Sequence, residues 1–392
     1  MRKVVSLLIP LLVLLGDTLL GQWQIELSSG SYYYQNLLRT YANVEDYVLT
    51  PGLSVAYLSH SAEFYYSNYF LQVMQNQQYS FGYHEIGVDW FDTKDRNWSH
   101  SLGASVALRS NRDDFQYNDY SRLQAAYNFK WYPRYWLLTR LAAYIQYKHF
   151  PEVAEWNHSE ASLQLQQNVF LKTNTTLRAG MNLRFRDFVP YTTTAESAPM
   201  GGGQGWRRIP RMIYRQEEIS SLWLLSYSVR IAQSLGKYLG AYSEVAYQYL
   251  PDGGNPYEFE VQAFSPIDDY FGYSGLSWMN SLKFRYNDSF WLQIRAAYYD
   301  RLYVNRPVYE FDEASAVFTM EGDEYVVLEP QRIDQGRTIE FRIGFELGNI
   351  FQKASSLDLI LHANWQQNDS NDAYFQYDDI STGLTIGYDF QW

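Results

Sequence analysis

The six histidines are the side chains best suited to metal binding or proton transfer, and they are widely spaced. They are His60, His84, His100, His149, His158 and His362. None belongs to an HExxH motif or to a pair four residues apart, so no zinc-protease signature is present. His149 and His158 flank a segment with Glu152 and Glu155, which is the arrangement that most favours a hydrolytic or metal site. Solvated loop residues are the simpler interpretation, and we expect no catalytic residue, no metal and no cofactor.

Basic residues recur at alternate positions of several segments, as in Arg184 and Arg186 or Lys283 and Arg285. Alternate residues of a β-strand point to the same side, so each pair shares one face. Guanidinium groups arranged in this way bind carboxylates, phosphates or sugar hydroxyls through forked hydrogen bonds. The polar face predicted from the alternation includes Arg109, Arg122, Arg140, Arg178, Arg184, Arg186, Lys283, Arg285, Arg295, Arg301, Glu340, Arg342 and Glu346.

The segments that carry these residues alternate between apolar and polar positions with a period of two. Leu292 and Ile294 share one face, for example, while Gln293 and Arg295 share the other. A helical period of 3.6 would scatter the arginines around the circumference. The pattern predicts sixteen strands, near 23–34, 52–58, 62–73, 79–91, 98–109, 119–131, 135–148, 157–170, 175–188, 218–234, 238–250, 270–286, 289–303, 336–351, 356–367 and 379–391. The face assignment of 62–73 is left open, because its aromatic run fits either phase.

Short and long connections alternate between these strands. The short ones use turn residues such as Asn287–Asp288, and the longest reach from 189 to 217 and from 304 to 335. Tyr and Trp, which prefer the membrane–water interface, crowd at the predicted strand ends. We therefore predict an all-β fold: a transmembrane antiparallel up-and-down β-barrel of about 16 strands, with short periplasmic turns and long extracellular loops. A soluble β-sandwich with aromatic core positions is the alternative fold.

The composition excludes several other classes of protein. Aromatic residues make up 18% of the 392 residues, charged residues 19%, and cysteine is absent. A largely disordered chain, a disulfide framework and thiolate chemistry are thereby excluded. No apolar run of about 18 residues follows the N-terminus, which excludes a helical membrane bundle. The formal net charge of −12 gives no support to nucleic-acid binding.

The N-terminus has the layout of a secretory signal peptide. Arg2 and Lys3 precede a mostly apolar stretch over residues 4–15, and the small residues Gly16 and Gly21 follow. A stop-transfer anchor is the alternative interpretation. We expect a signal peptide at 1–21 and a single barrel domain at 22–392.

The last predicted strand resembles a known insertion signal. Apolar residues alternate from Leu384 to the final Trp392, with Gly387 and Phe390 within the run. This resembles the C-terminal β-signal by which the outer-membrane assembly machinery recognises its barrel substrates, with Gly387, Phe390 and Trp392 in the signal positions. The resemblance implies the outer membrane of a Gram-negative-type bacterium, with membrane lipids, lipopolysaccharide and the assembly machinery as partners. In strand number and loop asymmetry the chain is similar to porin-like barrels.

The 304–335 connection is strongly acidic. Its apolar stretches at 314–320 and 325–328 flank a Glu-Gly-Asp-Glu turn, which predicts a hairpin within the loop. A solvated surface hairpin is one interpretation, and a hairpin that folds inward as a pore constriction is the other. The residues expected at such a constriction are Glu310, Asp312, Glu313, Glu321, Asp323 and Glu324.

These features together favour an outer-membrane, porin-like channel for passive diffusion of small hydrophilic solutes, with an arginine-rich lumen. At sixteen strands a barrel encloses an aqueous channel unless loops fill it. The alternative is a non-conducting scaffold or surface-interaction barrel in the outer membrane that partners a secretion, motility or capsule system. No feature of the sequence indicates an oligomer interface.

Overall fold

The computed structural model describes residues 21–92, 97–189, 221–254, 269–312, 317–322, 324–348 and 355–391. Residues 1–20, which hold nearly all of the expected signal peptide, and Trp392 lie outside this part of the chain. Sixteen strands of the described part pair in chain order, and the last pairs with the first to close a barrel. They are β1 (Gln22–Tyr34), β2 (Asp46–Leu58), β3 (Ala62–Val73), β4 (Phe81–Asp92), β5 (Trp98–Asn111), β6 (Tyr120–Arg134), β7 (Leu137–His149), β8 (His158–Phe170), β9 (Thr175–Phe188), β10 (Leu222–Ser234), β11 (Leu239–Tyr249), β12 (Ser274–Asn287), β13 (Phe290–Tyr303), β14 (Arg332–Gly348), β15 (Ser355–Ser370) and β16 (Tyr377–Gln391). The predicted antiparallel barrel is confirmed.

Four strands begin four or more residues from the predicted start, and one of them is β10, at Leu222 rather than at 218. β2 begins at Asp46 rather than at 52, because Pro51 lies inside the strand, opposite Ser29 of β1. Proline has no N–H to donate, and the ladder with β3 passes from Leu49 to Gly52 without paired residues between them. β14 begins at Arg332 rather than at 336. β12 begins at Ser274 rather than at 270, because residues 269–271 form a separate turn.

Strand pairing places the two faces of every strand consistently around the barrel. The outer face carries large apolar side chains that are well exposed: Leu123 is 59% exposed, Ile145 63% and Val229 58%. The polar phase faces inward and includes Tyr65 and Tyr69, which settles the phase of β3. An apolar exterior around a closed sheet with no free edge is the exterior of a barrel that spans a membrane.

No helix in the described ranges is long and apolar enough to cross a membrane.

The loop between β13 and β14 contains the predicted hairpin. Met320 pairs with Tyr325 and Glu321 with Glu324, and Gly322 turns between them with a φ of 68°. Glycine adopts this left-handed conformation without steric cost, which explains its place at the tip of the turn. The hairpin prediction is confirmed.

Five other loops each contain a short 3-10 turn with an aromatic residue. The turns are Gln77–Tyr79, Asp113–Asn118, Ala154–Trp156, Asp269–Phe271 and Ala373–Phe375. We call Tyr79, Phe115, Trp156, Phe271 and Phe375 the aromatic collar. Tyr79 lies 4.8 Å from Phe115, measured between ring centroids. The loops therefore pack on one another along part of the loop-side rim.

Candidate functional site: the barrel lumen

The thirteen residues predicted to share a polar face all lie in the inward-facing phase of the strand register. Arg178, Arg230 and Glu244, for example, are direct neighbours across β9, β10 and β11. Arg295 and Glu340 are neighbours across β13 and β14. The wall of the lumen is therefore a surface of charged and hydroxyl side chains, held in register by the backbone ladders.

Most of the luminal arginines are paired with carboxylates, and two carboxylates serve two arginines each. Arg178 and Arg230 both contact Glu244, with a nitrogen–oxygen distance of 2.8 Å for Arg178.

Glu340 is the second shared carboxylate. Arg295 lies 3.2 Å from it, and Arg342 donates from Nε at 2.6 Å. Each of these two groups keeps one net positive charge. The wall on β9–β11, and near mid-strand on β13–β14, therefore has an excess of guanidinium groups.

Two other ion pairs are balanced one to one. Arg122 contacts Glu85 at 3.0 Å and also donates to the hydroxyl of Tyr83. Arg285 contacts Glu346 at 2.9 Å, in a pair that is largely exposed. Balanced pairs stabilise the polar wall without adding a net charge to the lumen.

The remaining predicted cations lie against aromatic rings or an amide. The guanidinium carbon of Arg109 lies 3.8 Å from the ring centroid of Phe81. Arg301 lies 4.0 Å from the Tyr299 ring, and Lys283 lies 4.4 Å from the Trp291 ring. Arg140 donates to the amide of Asn128 at 2.8 Å. Cation–π contacts of this kind hold long side chains flat against the wall.

Arg184 and Arg186 are not open members of the luminal row, as the sequence pattern suggested, because a loop covers them. The side chains of Arg186 and Glu160 are fully buried and lie 2.8 Å apart. Tyr270, from the loop between β11 and β12, donates its hydroxyl to Glu160 at 2.6 Å, and its ring lies 4.3 Å from the Arg184 guanidinium. The hydroxyl of Tyr144 also donates to Glu160. We call Glu160, Arg184, Arg186 and Tyr270 the loop latch.

The same loop is held by an apolar patch on the inner wall. Phe271 is fully buried against the inward-facing Phe188, Leu222, Leu224 and Leu250. The sequence carried a signal for this contact: Leu222 and Leu224 occupy inward positions of β10, where the alternation calls for polar residues. Apolar residues in the polar phase at the loop end of a strand indicate a loop that packs inside.

The acidic hairpin lies at the loop-side rim beside β1 and β16. Phe311 packs 4.5 Å from Tyr41 of the first loop and 5.5 Å from Tyr374 of the last loop. Of the residues expected at a constriction, Glu310 is half-buried, and Asp312 and Glu321 are exposed. Glu313 and Asp323 lie outside the described residues, and for Glu324 the strand pairing alone is described.

Acidic residues collect at the turn-side end of the lumen, on β14–β16 and on β1, β3 and β4. They form three directly opposed couples: Glu26 with Asp389, Glu63 with Asp89, and Glu346 with Asp358. Like charges opposite one another destabilise a sheet, so these couples favour a position in contact with water and counter-ions. The luminal charge therefore changes sign with depth and from one side of the barrel to the other.

Several inward-facing glycines lie under aromatic rings of the neighbouring strand. A Cβ atom at Gly344 would collide with the ring of Trp291, and one at Gly336 with the ring of Tyr299. The rings lie flat where a side chain would otherwise stand. This packing covers the glycine backbone and keeps bulky rings close to the wall.

We expect Gly344→Ala to lower the free energy of unfolding by about 1–3 kcal/mol, because the new methyl group displaces the Trp291 ring into the lumen. Gly240→Ala is the matched control, since a Cβ atom there meets no atom within 4 Å. Urea titration of the folded barrel measures both variants. Equal stabilities for the two would contradict the packing of Trp291 on Gly344.

The histidines do not assemble a site around the segment that links β7 and β8. His158 is buried, and its Nδ1 lies 2.7 Å from the carbonyl oxygen of Trp156. His149, Glu152 and Glu155 are exposed. Within the described residues, no group of three or more His, Asp and Glu side chains could hold a metal ion.

No protein-family model matches the sequence, and no curated protein matches it. Among solved structures, CdiB from Acinetobacter baumannii aligns over 93% of this chain and 60% of its own length, with a TM-score of 0.50 and 11% identity. The outer membrane protein OpdK from Pseudomonas aeruginosa aligns over 94% of this chain and 99% of its own, with a TM-score of 0.49 and 10% identity. OprD, an outer membrane protein of the same organism, aligns over 94% of both chains, with a TM-score of 0.49 and 9% identity. At such identities a likeness concerns the fold alone.

A closed barrel of sixteen antiparallel strands, with an apolar exterior and a polar interior, is an outer-membrane β-barrel. The protein therefore resides in the outer membrane.

Proposed function

We propose that this barrel is a channel for passive diffusion of small hydrophilic solutes. The observation that carries the proposal is the largely polar inner wall of a closed sixteen-stranded barrel. Barrels of this size enclose water-filled channels. The rings packed over Gly336 and Gly344 support the same function, because these two rings lie against the wall instead of projecting into the bore.

Selectivity in this proposal follows from the shared carboxylates. Glu244 and Glu340 each hold two arginines, so the wall around them favours anions, and the Glu340 group lies near the middle of its strand. The acidic couples at the turn-side end and the acidic hairpin at the loop-side rim favour cations at the two mouths. We expect the middle of the pore to decide, which gives a weak preference for anions.

The reversal potential in a salt gradient across a planar bilayer tests this selectivity. Arg295→Ala combined with Arg342→Ala removes two cations and leaves Glu340 in the lumen, so we expect the reversal potential to shift toward cation selectivity. Arg337→Ala is the matched control, because Arg337 lies on the outer face of β14 and is exposed. A cation-selective wild type whose reversal potential does not change in the double variant would contradict the proposal.

The alternative function, a non-conducting scaffold or surface-interaction barrel, is favoured by one observation. Tyr270 of the loop latch and Phe271 of the aromatic collar bring the loop between β11 and β12 onto the inner wall. Open-channel conductance separates the two functions. A wild-type protein that inserts into planar bilayers and passes no current would support the scaffold.

Assembly by the β-signal is a further part of the proposal. Gly387 lies inward in β16, opposite Ser28 of β1, and Phe390 lies outward opposite Ile25. We expect Trp392→Ser to reduce the yield of folded barrel in the outer membrane, measured by heat-modifiable electrophoretic mobility. Gln391→Ser is the control, because it changes a neighbouring residue that is not a signal position. Equal yields for both variants and the wild type would rule out this role of Trp392.

A further inference from the structure

A cavity of about 480 Å³ opens on one side of the lumen, against the inner wall formed by β12–β16 and β1. Arg295, Glu340, Arg342 and His362 line its wall, and Arg39 of the first loop lines it from the loop side. Cavities of this volume accommodate single small ligands. The cavity therefore offers a place where a passing solute can be held beside the main path.

The charges around the cavity leave one positive charge unbalanced. Arg295 and Arg342 share Glu340, and Arg39 lies 4.0 Å from Asp379. Three cations thus face two carboxylates. The Nε atom of Arg295 is buried and has no hydrogen-bond partner within the described structure, so one guanidinium donor is left without an acceptor.

Most of the other lining residues carry groups that hydrogen-bond to hydroxyls, while Met279 and Ala297 are apolar. Thr338, Asn364 and Ser381 supply hydroxyl and amide groups, and Tyr32 supplies a ring beside His362 at 5.8 Å between centroids. A tyrosine ring offers an apolar face to the carbon skeleton of a small ring-shaped solute. A solute that satisfies both the charge and these groups has one negative charge and several hydroxyls.

Arg39 gives a further indication that the cavity is a binding site. Its backbone has a φ of 53°, in the left-handed region that residues with a side chain seldom adopt. Strained backbone of this kind is concentrated at ligand-binding positions, where it aims a side chain. Here the conformation belongs to the residue whose guanidinium lies at the loop side of the cavity.

We propose that this cavity retains a small monoanionic solute that carries several hydroxyl groups, such as a sugar acid, through Arg295, Arg342 and Arg39. The proposal rests on the channel function, because retention has a role where the solute passes through the barrel. Arg295 and Arg342 already donate hydrogen bonds to Glu340. The solute would replace some of these hydrogen bonds with its own, so we expect its binding to be weak and reversible.

Equilibrium binding to the detergent-solubilised, full-length barrel tests the site, with D-glucuronate as the probe. Isothermal titration should detect glucuronate, and neutral D-glucose and cationic D-glucosamine should bind at least tenfold more weakly. Arg295→Gln should raise the dissociation constant for glucuronate about tenfold or more, because it removes one of the three cations of the site. We expect the fold to be retained, because Arg342 still neutralises Glu340. Arg337→Gln, on the outer face of the same wall, should leave it unchanged.

Equal affinities for glucuronate and glucose, or an Arg295→Gln variant that binds glucuronate as the wild type does, would overturn the site. Equal binding of acetate and glucuronate would also overturn it, because charge alone would then explain retention. Heat-modifiable mobility of each variant verifies that the barrel is folded. Planar-bilayer conductance, measured in parallel, separates the two proposals: a barrel that binds glucuronate and passes no current contradicts the channel and not the site.

Discussion

Glu160→Gln should lower the free energy of unfolding by about 3–5 kcal/mol, because it leaves the guanidinium of Arg186 buried without a counter-charge. Both side chains are fully buried in the native barrel. The hydroxyls of Tyr144 and Tyr270, which now donate to a carboxylate, would meet a neutral amide. Urea titration of the barrel in detergent micelles, followed by tryptophan fluorescence, measures the loss.

Glu346→Gln is the matched control for this experiment. Glu346 contacts Arg285 at 2.9 Å, nearly the same distance as in the buried pair, and both side chains of this pair are more than a third exposed. An exposed ion pair contributes about 0–1 kcal/mol, since water replaces the lost partner. Losses of similar size for the two variants would contradict the complete burial of the ion pair between Glu160 and Arg186. A larger loss for Glu160→Gln also predicts a wider mouth, because the loop latch would be released.

Ile343→Arg should lower the free energy of unfolding by about 2–4 kcal/mol if the residue lies near the middle of the bilayer. Ile343 lies in the outward phase of β14, opposite Leu292 of β13 and Leu361 of β15. An arginine there would place its charge among lipid chains. Unfolding in lipid vesicles is the appropriate measurement, because detergent lets the charge reach water more easily.

Gly240→Arg is the matched control, because it places an arginine on the luminal face instead of the lipid-facing side. Gly240 faces the lumen opposite Lys283, and no atom lies within 4 Å of its Cβ position. The new guanidinium would extend into water, which screens its repulsion from Lys283, so we expect a smaller loss of stability than for Ile343→Arg and a reduced single-channel conductance. Gly344→Arg does not serve this purpose, although it also faces inward, because Trp291 occupies the space. Equal destabilisation by Ile343→Arg and Gly240→Arg would contradict the assignment of the two faces.

The alternation of apolar and polar residues predicted the barrel together with the alternating short and long connections. Every second residue of a membrane-spanning strand must be apolar, because it faces lipid. The number of strands, and the inward orientation of residues such as Arg178 and Arg342, could therefore be predicted from the sequence. The start of β2 did not follow, because Pro51 is a poor strand residue in general and is tolerated here by the pairing with β1. The period of a sequence pattern reflects the conformation of one strand, whereas the acceptance of Pro51 within a strand depends on how the neighbouring strands pair with it.

The partners of the luminal charges could not be predicted from the sequence. That Glu244 serves both Arg178 and Arg230 depends on the stagger between three strands, which the alternation leaves free. The loop latch depends on Tyr270, which is distant in sequence from Glu160 and which the alternation places in a strand. Loops obey no period, so their contacts with the inner wall emerge from packing alone.

The aromatic collar has a consequence for protein engineering. Loops that pack on their neighbours cannot be lengthened independently, so a peptide inserted beside Phe115 would disturb Tyr79 as well. The hairpin tip at Gly322 is different, because the side chains of Met320 and Glu321 beside it are exposed. Foreign epitopes displayed on cells that carry this barrel should therefore be tolerated at the hairpin tip and rejected within the collar.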